Sequence, residues 1–483
     1  MSLPIICSTM SEPATVLPLQ DHPAEVPDPP GVLLRQLLIL AMPVFAEHTL
    51  HILVGWTDTY LANHLYRYSA VTDATRAAQD AAGAAVGTMA YILWFVGLLV
   101  SAVGSGSTAI IARAKGAKHR SLANSICGQS ISLAVLIGLI SGVLMYAFAG
   151  PMADISGLEG QAHDYARTYL RILSPSMPFS MVMFISNSCL RGAGDTLTPA
   201  ITMIAVDIIN MLVSAALTWG WFGMPTMGFD GIAWGTTAAY CAGGIIQFLV
   251  LLVGRGGIRL HLHRLAPHWR NLKRLLRIGL PGAAADFMHW IANFGVVRFV
   301  NEIGATQANA HSITVRIESL SYMMGFAVAT AVATMVGQSL GMKRPARAAR
   351  CTYVGYALGG GIMIVAGIGF ILFGRYPAML FSSDPVVQDL VTRCLFVTGF
   401  IQSGFAAALI FGGGLRGAGD TFIVMLLLLV NMFCVRFLGT YIVASVLKLG
   451  LVATWVVLAS ELMLRGIVMF GRFAQGGWKK ITV

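Results

Sequence analysis

Leu190–Thr196 reads LRGAGDT, and Leu415–Thr421 reads LRGAGDT again. Identity over seven residues at a separation of 225 marks a chain assembled from two copies of one unit. Gly116 and Lys118 recur at the same offset as Gly341 and Lys343, so the halves keep equal length between those landmarks. Both heptapeptides lie in short polar gaps between long apolar runs. Two similar apolar halves that rock about a site between them are the ground plan of many secondary transporters, which makes transport the leading expectation.

Composition identifies the solvent. Hydrophobic residues make up 56% of the 483, charged residues 11%, and the mean hydropathy is +0.74. Soluble domains carry roughly 25% charged residues, so this chain cannot cover a water-facing surface. Apolar runs of about 20 residues cross a bilayer core of about 30 Å. Their length and continuity point to helices rather than barrel strands. The sequence therefore predicts an all-α membrane protein with twelve spans, at about 32–62, 82–112, 122–150, 164–190, 196–222, 229–254, 273–301, 307–340, 348–374, 386–414, 421–447 and 451–471.

Basic residues orient the spans. Arg113, Lys115, Lys118 and Arg120 follow span 2, Arg255 to Lys273 follow span 6, Lys343, Arg344 and Arg347 follow span 8, and Lys479 and Lys480 lie in the tail. The intervening gaps carry Asp73, Asp80, Asp154, Glu159, Asp230 and Asp384. This pattern predicts a multi-pass protein of the inner (plasma) membrane with both termini cytoplasmic. The net charge of +11 is thereby spread over alternate loops, and no nucleic-acid partner is expected.

Residues 1–30 are proline-rich, without signal-peptide character, and are expected to be a disordered cytoplasmic tail. A lobe of six spans covers 31–254, a basic linker 255–272, a second lobe of six 273–475, and a cytoplasmic tail 476–483. Both lobes enter the membrane from one side, so they form parallel repeats about a pseudo-twofold axis along the membrane normal. Pro43 answers Pro281 at an offset of 238, because the first half holds an extra polar stretch at about 65–81 with Arg67, Asp73, Arg76 and Asp80, read as an external loop. The seven cysteines show no CxxC spacing and are read as small buried hydrophobes.

The stretches GLPGAAADFMHW (Gly279–Trp290) and RIESLSYMMGFAVATAVATMVGQSLGMKRPAR (Arg316–Arg347), with the two RGAGDT gaps and the pairing of Pro43 with Asp58, resemble the multidrug and toxic compound extrusion (MATE) family over nearly all of residues 31–475. The resemblance implies export of small amphipathic, often cationic, compounds in exchange for protons or sodium ions by alternating access. It implies small-molecule substrates, a coupling cation and membrane lipids as partners, no cofactor beyond that ion, and a monomer. Asp58 takes the place of the family's coupling carboxylate in the N-terminal half. In span 5 the family pattern of Asn followed four residues later by Asp is met by Asn210 but answered by Ser214. In the C-terminal half, His289 stands where sodium-coupled members carry a glutamate, and Gln402, Ser403 and Phe405 stand where they carry an acid. Those departures favour proton coupling through the N-terminal half.

Ionisable groups inside spans are functional candidates by default. A carboxyl that moves between a dry and a hydrated setting can bind and release a proton, and it can equally ligate sodium, which suits Asp58 to coupling. Asp207, Asn210 and Ser214 share one helical face, so Asp207 is a candidate for the charge that Ser214 lacks. Asp286 and His289, three residues apart, could form a proton-relaying pair. Glu318 and Arg316 point to different faces, and Glu47 with His48 and His51 could line a cavity. Pro43 is a candidate hinge. No metal site is expected at His48 and His51, which lack a third ligand. Arg298, Arg436, Glu461 and Arg465 are read as anchors or inter-helix pairs nearer span ends. The RGAGDT gaps are read as structural turns, with Asp195–Thr196 and Asp420–Thr421 capping the next helix and Arg191 and Arg416 at the interface. No catalytic constellation is present: the sequence has no HExxH, no nucleophile elbow and no GxxxxGK[ST]. The alternative to drug export is a flippase for lipid-linked saccharides. That function needs a basic cavity, whereas the deep charges read as largely acidic.

Overall fold

A computed structural model describes residues 28–66 and 72–481. The first lobe contains α1 (Pro30–Asn63), α2 (Asp73–Gly116), α3 (Arg120–Ala147), a short α4 (Ala149–Ile155), α5 (Gly160–Leu173), α6 (Met177–Gly192), α7 (Leu197–Trp219) and α8 (Phe229–Val253). The second contains α9 (Trp269–Ile303), α10 (Ala305–Gly341), α11 (Pro345–Phe373), a short α12 (Arg375–Phe381), α13 (Pro385–Gly417), α14 (Thr421–Asn431) with its continuation α15 (Leu438–Tyr441), and α16 (Gly450–Ala474). Among the described residues, nine helices are long and apolar enough to cross a membrane by length and composition alone. The other three expected spans are α2, the α5–α6 pair and α9. The architecture is all-α with twelve spans.

Four expectations change. Residues 73–81 are not loop: Thr72 and Thr75 form a reciprocal cap, and helix begins at Asp73. Arg67 lies outside the described residues. Span 4 is two helices, broken by a 3-10 turn at Ser174–Ser176 where Pro175 and Pro178 deny the backbone two donors. Span 11 is interrupted by π-helical turns at Met432–Phe437 and Ile442–Val446. Cys434, read as buried, is exposed, and Cys7 falls outside the described residues. Of the tail at 476–483, Trp478 is buried and stacks on Phe473 of α16.

The RGAGDT gaps are turns for a local reason. Gly194 (φ +83°) and Gly419 (φ +86°) adopt the left-handed conformation that ends α6 and α13. The Asp195 carboxylate then accepts from the Thr198 amide at 3.1 Å and caps α7. Asp420 does not cap α14; it accepts from Arg472 at 2.9 Å instead.

The lobes join at the end that carries the basic loops, and there backbone meets backbone. A Cβ on Gly116 would lie 1.9 Å from the Gln338 carbonyl oxygen, and one on Gly341 would lie 2.1 Å from that of Arg113. These are the two glycines of the sequence repeat. Further inward, Gly279 of α9 meets the Ala102 carbonyl, and Gly106 of α2 meets that of Leu275. The first helix of each lobe also crosses over. Leu33, Leu37 and Ala41 of α1 pack in the core of the second lobe, whereas Val54, Leu61 and Ala62 pack in that of the first. Leu275 and Ile278 of α9 pack in the first lobe, whereas Val296 and Val300 pack in the second. Pro43 and Pro281 each sit between the two stretches, inside continuous helices. Arg347 bridges to Asp28 at 2.5 Å and Arg113 donates to the Ile481 carbonyl at 2.8 Å, closing the same end.

Gly116→Ala and Gly341→Ala should each cost about 1–3 kcal/mol through overpacking and lower the thermal unfolding midpoint in detergent. Gly361→Ala, where a Cβ meets nothing within 4 Å, serves as the control. Equal midpoints for all three would show that the crossing is not tight.

Candidate functional site

The four helices α1, α5, α7 and α8 converge on Asp58. Its Oδ2 accepts from the Tyr169 hydroxyl at 2.9 Å and from Thr236 Oγ1 at 2.8 Å, and its Oδ1 accepts from Asn210 Nδ2 at 3.2 Å. Asn210 Nδ2 also lies 3.0 Å from Thr236 Oγ1 and 3.4 Å from Ser214 Oγ. Asp58 is 3% exposed, and Asn210 and Ser214 are fully buried. Close helix contact makes this possible. Gly231 and Gly235 on α8, four residues apart, bring it onto the α7 backbone at Leu217 and Ser214. The result is one carboxylate ringed by neutral oxygen and amide groups. Such a set holds a proton or a small hard cation and offers nothing to a soft metal.

Asp207 does not join this cluster: both its carboxyl oxygens are buried without a hydrogen-bond partner among the described residues. Tyr240 lies within electrostatic reach of both Asp58 and Asp207. An apolar groove lined by Leu53, Trp56, Tyr60, Met211 and Trp219 lies between α1 and α7.

A second network occupies the same lobe nearer the basic end. Glu47 Oε1 accepts from Arg191 at 2.7 Å and from Asn187 at 2.9 Å. Gln247 donates to Asn187 at 2.7 Å and lies 3.0 Å from Thr202. Arg191, expected at the interface, is thus turned inward to neutralise Glu47. His48 and His51 are exposed, and His51 stands edge-on to Phe184 at 5.3 Å.

In the second lobe the expected Asp286–His289 pair does not form. Asp286 is hydrogen-bonded to Ser101 of α2 across the lobe boundary. Glu318 is buried while Arg316 faces outward, as their spacing requires. The main polar cluster centres instead on Glu461, which is 0% exposed. Asn431 donates to its Oε1 at 2.7 Å, Arg465 at 2.6 Å, and Arg436 donates to Oε2 at 3.0 Å. The reading of Arg436, Glu461 and Arg465 as groups near span ends is corrected: they join the π-turn after α14 to α16 in the interior. The expectation that deep charge is largely acidic fails here as well.

Tyr169 and Thr236 carry no local signal and were missed from the sequence. The repeat offset held a clue, since 225 residues after Thr236 and Tyr240 stand Glu461 and Arg465. The polar positions of α8 and α16 therefore correspond.

A family model described as MatE matches residues 76–216 and 281–442. A protein named probable multidrug resistance protein NorM from Thermotoga maritima is 29% identical over 459 residues, covering 93% of this chain and 94% of that one. The multidrug resistance protein PmpM of Pseudomonas aeruginosa is 25% identical over 408 residues, with 82% and 81% covered. A solved structure titled as a MATE protein in the bent conformation superposes with a TM-score of 0.83 at 19% identity, over 94% of this chain and 99% of that one, which establishes a shared fold.

Arg191→Gln leaves Glu47 buried and unpaired, and should cost about 3–5 kcal/mol of stability. The double variant Glu47→Gln/Arg191→Gln should recover part of that loss. Thermal unfolding of the wild type, the single variants Arg191→Gln and Glu47→Gln, and the double variant forms a double-mutant cycle, and additive losses would show that the pair is not coupled.

Proposed function

The chain belongs to the MatE family, whose members are transporters rather than enzymes, and we propose that it exports small amphipathic compounds as a cation-coupled antiporter with alternating access. The single observation that carries this reading is the Asp58 cluster, a carboxylate buried in the membrane-spanning part of one lobe with Tyr169, Asn210 and Thr236 as its only hydrogen-bond partners among the described residues. A buried carboxylate without a counter-cation is costly in a membrane, so it gains by binding a proton or sodium ion. Water admitted from one side reverses that preference.

The names of the related proteins, which refer to multidrug resistance, support a drug-like substrate class. The groove of Trp56, Tyr60, Met211 and Trp219 offers the adaptable aromatic and thioether wall that such compounds need. We take the coupling ion to be the proton, because the cluster holds one carboxylate and the second lobe offers arginines where a second cation would have to sit. In this reading the protein lies in the inner membrane with both termini cytoplasmic, and the basic end closes the path to the cytoplasm.

The mechanism follows from the two networks. With Asp58 ionised, its three donors tie α1 to α5, α7 and α8. A proton on the carboxyl turns one acceptor oxygen into a donor, so at least one of those bonds is lost or reversed. The part of α1 beyond Pro43 is then free to shift against α7, and the groove beside it changes shape. Pro43 lacks the amide that would otherwise stiffen the helix there.

Reconstituted in liposomes, the wild type should expel ethidium when a proton gradient is imposed and not when a sodium gradient is imposed. Asp58→Asn should reduce efflux to that of protein-free vesicles. Thr236→Val, which removes one donor worth about 1.4 kcal/mol, should slow it roughly tenfold. Undiminished efflux by Asp58→Asn would remove the carboxylate from the coupling step.

A further inference from the structure

The two lobes repeat one plan but pair their inward charges differently. Counting from the helix prolines, Glu47 and Asp58 of α1 correspond to Ala285 and Val296 of α9. The second lobe has therefore lost the acids at those two positions, and the acid it keeps on α9, Asp286 beside Ala285, is hydrogen-bonded to Ser101 of α2. It has kept the arginine, since Arg416 corresponds to Arg191. Arg191 is neutralised by Glu47, whereas Arg416 faces a lobe with alanine in that place and forms no ion pair with any described residue. To this the second lobe adds Arg436 and Arg465, with Arg465 at the position of Tyr240.

Glu461 serves both Arg436 and Arg465, so one carboxylate is shared by two guanidinium groups. Glu318 is within electrostatic reach of Arg436 but makes no salt bridge with it. Three arginines thus stand with Glu318, Glu461 and Asp286, but only Glu461 forms ion pairs with them, and Arg416 has none among the described residues. In the first lobe three acids, Glu47, Asp58 and Asp207, answer one arginine.

Two of these guanidinium groups are accessible. Arg436 retains 14% of its side-chain surface and Arg416 is half-buried. His289 is exposed and within electrostatic reach of Arg416, Arg436 and Arg465, so an open surface adjoins the cluster. Unused donors point the same way. Among the described residues Arg436 Nε is buried without a partner, and so are Thr440 Oγ1, one helical turn on, and Trp455 Nε1, whose ring packs on His311 at 5.5 Å. Arg436 itself sits in the π-turn at Met432–Phe437, a distortion that recurs at functional sites and sets the direction of its side chain.

We propose that Arg416 and Arg436, held by Glu461 and Arg465, form a subsite for one oxyanion, a carboxylate or phosphate carried by the transported amphipath. This rests on the reading of the chain as a transporter of amphipathic compounds and extends the substrate class to molecules that also carry an anionic group. Guanidinium forks match a carboxylate or phosphate in charge and geometry. Glu461 orients two of them without cancelling both. A dipolar substrate would set its anionic end here and its cationic end toward the acids of the first lobe.

Binding to the purified full chain in detergent tests this apart from any coupling. The probes are pyrenebutyrate and its uncharged amide, followed by fluorescence titration. The wild type should bind the carboxylate at least about tenfold more tightly than the amide, a preference that shrinks with added salt. Arg416→Gln and Arg436→Gln should each erase most of the preference, and Arg436→Lys should restore part of it. Asp58→Asn should keep the preference, so loss of antiport and loss of the subsite remain distinguishable. In a second arm, nanodiscs of phosphatidylglycerol or phosphatidylcholine identify the anion's source. Competition by phosphatidylglycerol alone would assign the subsite to a lipid phosphate, and none would assign it to the free carboxylate. Equal affinity of the wild type for pyrenebutyrate and its amide would overturn the proposal, whatever the variants do.

Discussion

Where α2 meets α10, no side chain separates the two backbones, and the rest of the molecule is arranged around that contact. Gly116 lies on Gln338 and Gly341 on Arg113, so the approach is nearly symmetric and any Cβ would break it. Lipid provides little drive for helices to associate, so close van der Waals contact between small residues must hold them. The crossings of α1 and α9 into the opposite lobe extend this seal, and the hydrogen bonds from Thr334 to the Arg191 carbonyl (3.1 Å) and from Arg347 to Gln36 (2.9 Å) lie in the same half. A bundle fastened at one end can open at the other without breaking either lobe. The buried polar networks lie within single lobes, where such movement leaves them intact while changing their access to water.

The sequence displayed the fold plainly because its strongest signals are ones that physics makes local. Apolar runs give the spans, basic gaps give the sidedness, and the repeated heptapeptide gives the two lobes. Gly194 and Asp195 could be read as a turn and a cap because both act on neighbours within four residues. Asp58, Asn210 and Ser214 were also legible, being polar groups on apolar helices. What the sequence concealed depends on which helix lies opposite. Tyr169 and Thr236 look ordinary until α5 and α8 bring them to Asp58. Asp286 and His289 share a helix face, yet Asp286 finds its partner, Ser101, on α2. The inward turn of Arg191 depends on Glu47, 144 residues away. The π-turns of span 11 have no sequence signature and re-aim Arg436 into the lobe.

The duplicated chain has divided its electrostatic labour. One lobe keeps a carboxylate among neutral donors, which leaves it sensitive to the arrival of a proton or cation. The other has tied its central carboxylate to two arginines by direct hydrogen bonds. The first lobe can therefore change state with ion gradients, while the second presents a fixed field. A single carboxylate cluster that responds and an opposing cluster that does not would let one ion bias the movement of two nearly identical halves.

The central claim is that the lobes rock against each other, the sealed basic end opening as the opposite end closes, when Asp58 changes its protonation state. Pulsed electron spin resonance on two labelled pairs tests it directly, one at Arg120 and Ala346 near the basic end and one at Gln161 and Asp389 at the opposite end, with all four positions exposed. Between alkaline and acidic buffer the two distances should change in opposite senses, and Asp58→Asn should hold both at one setting. Distances that stay fixed, or that change in the same sense at both ends, would contradict the account.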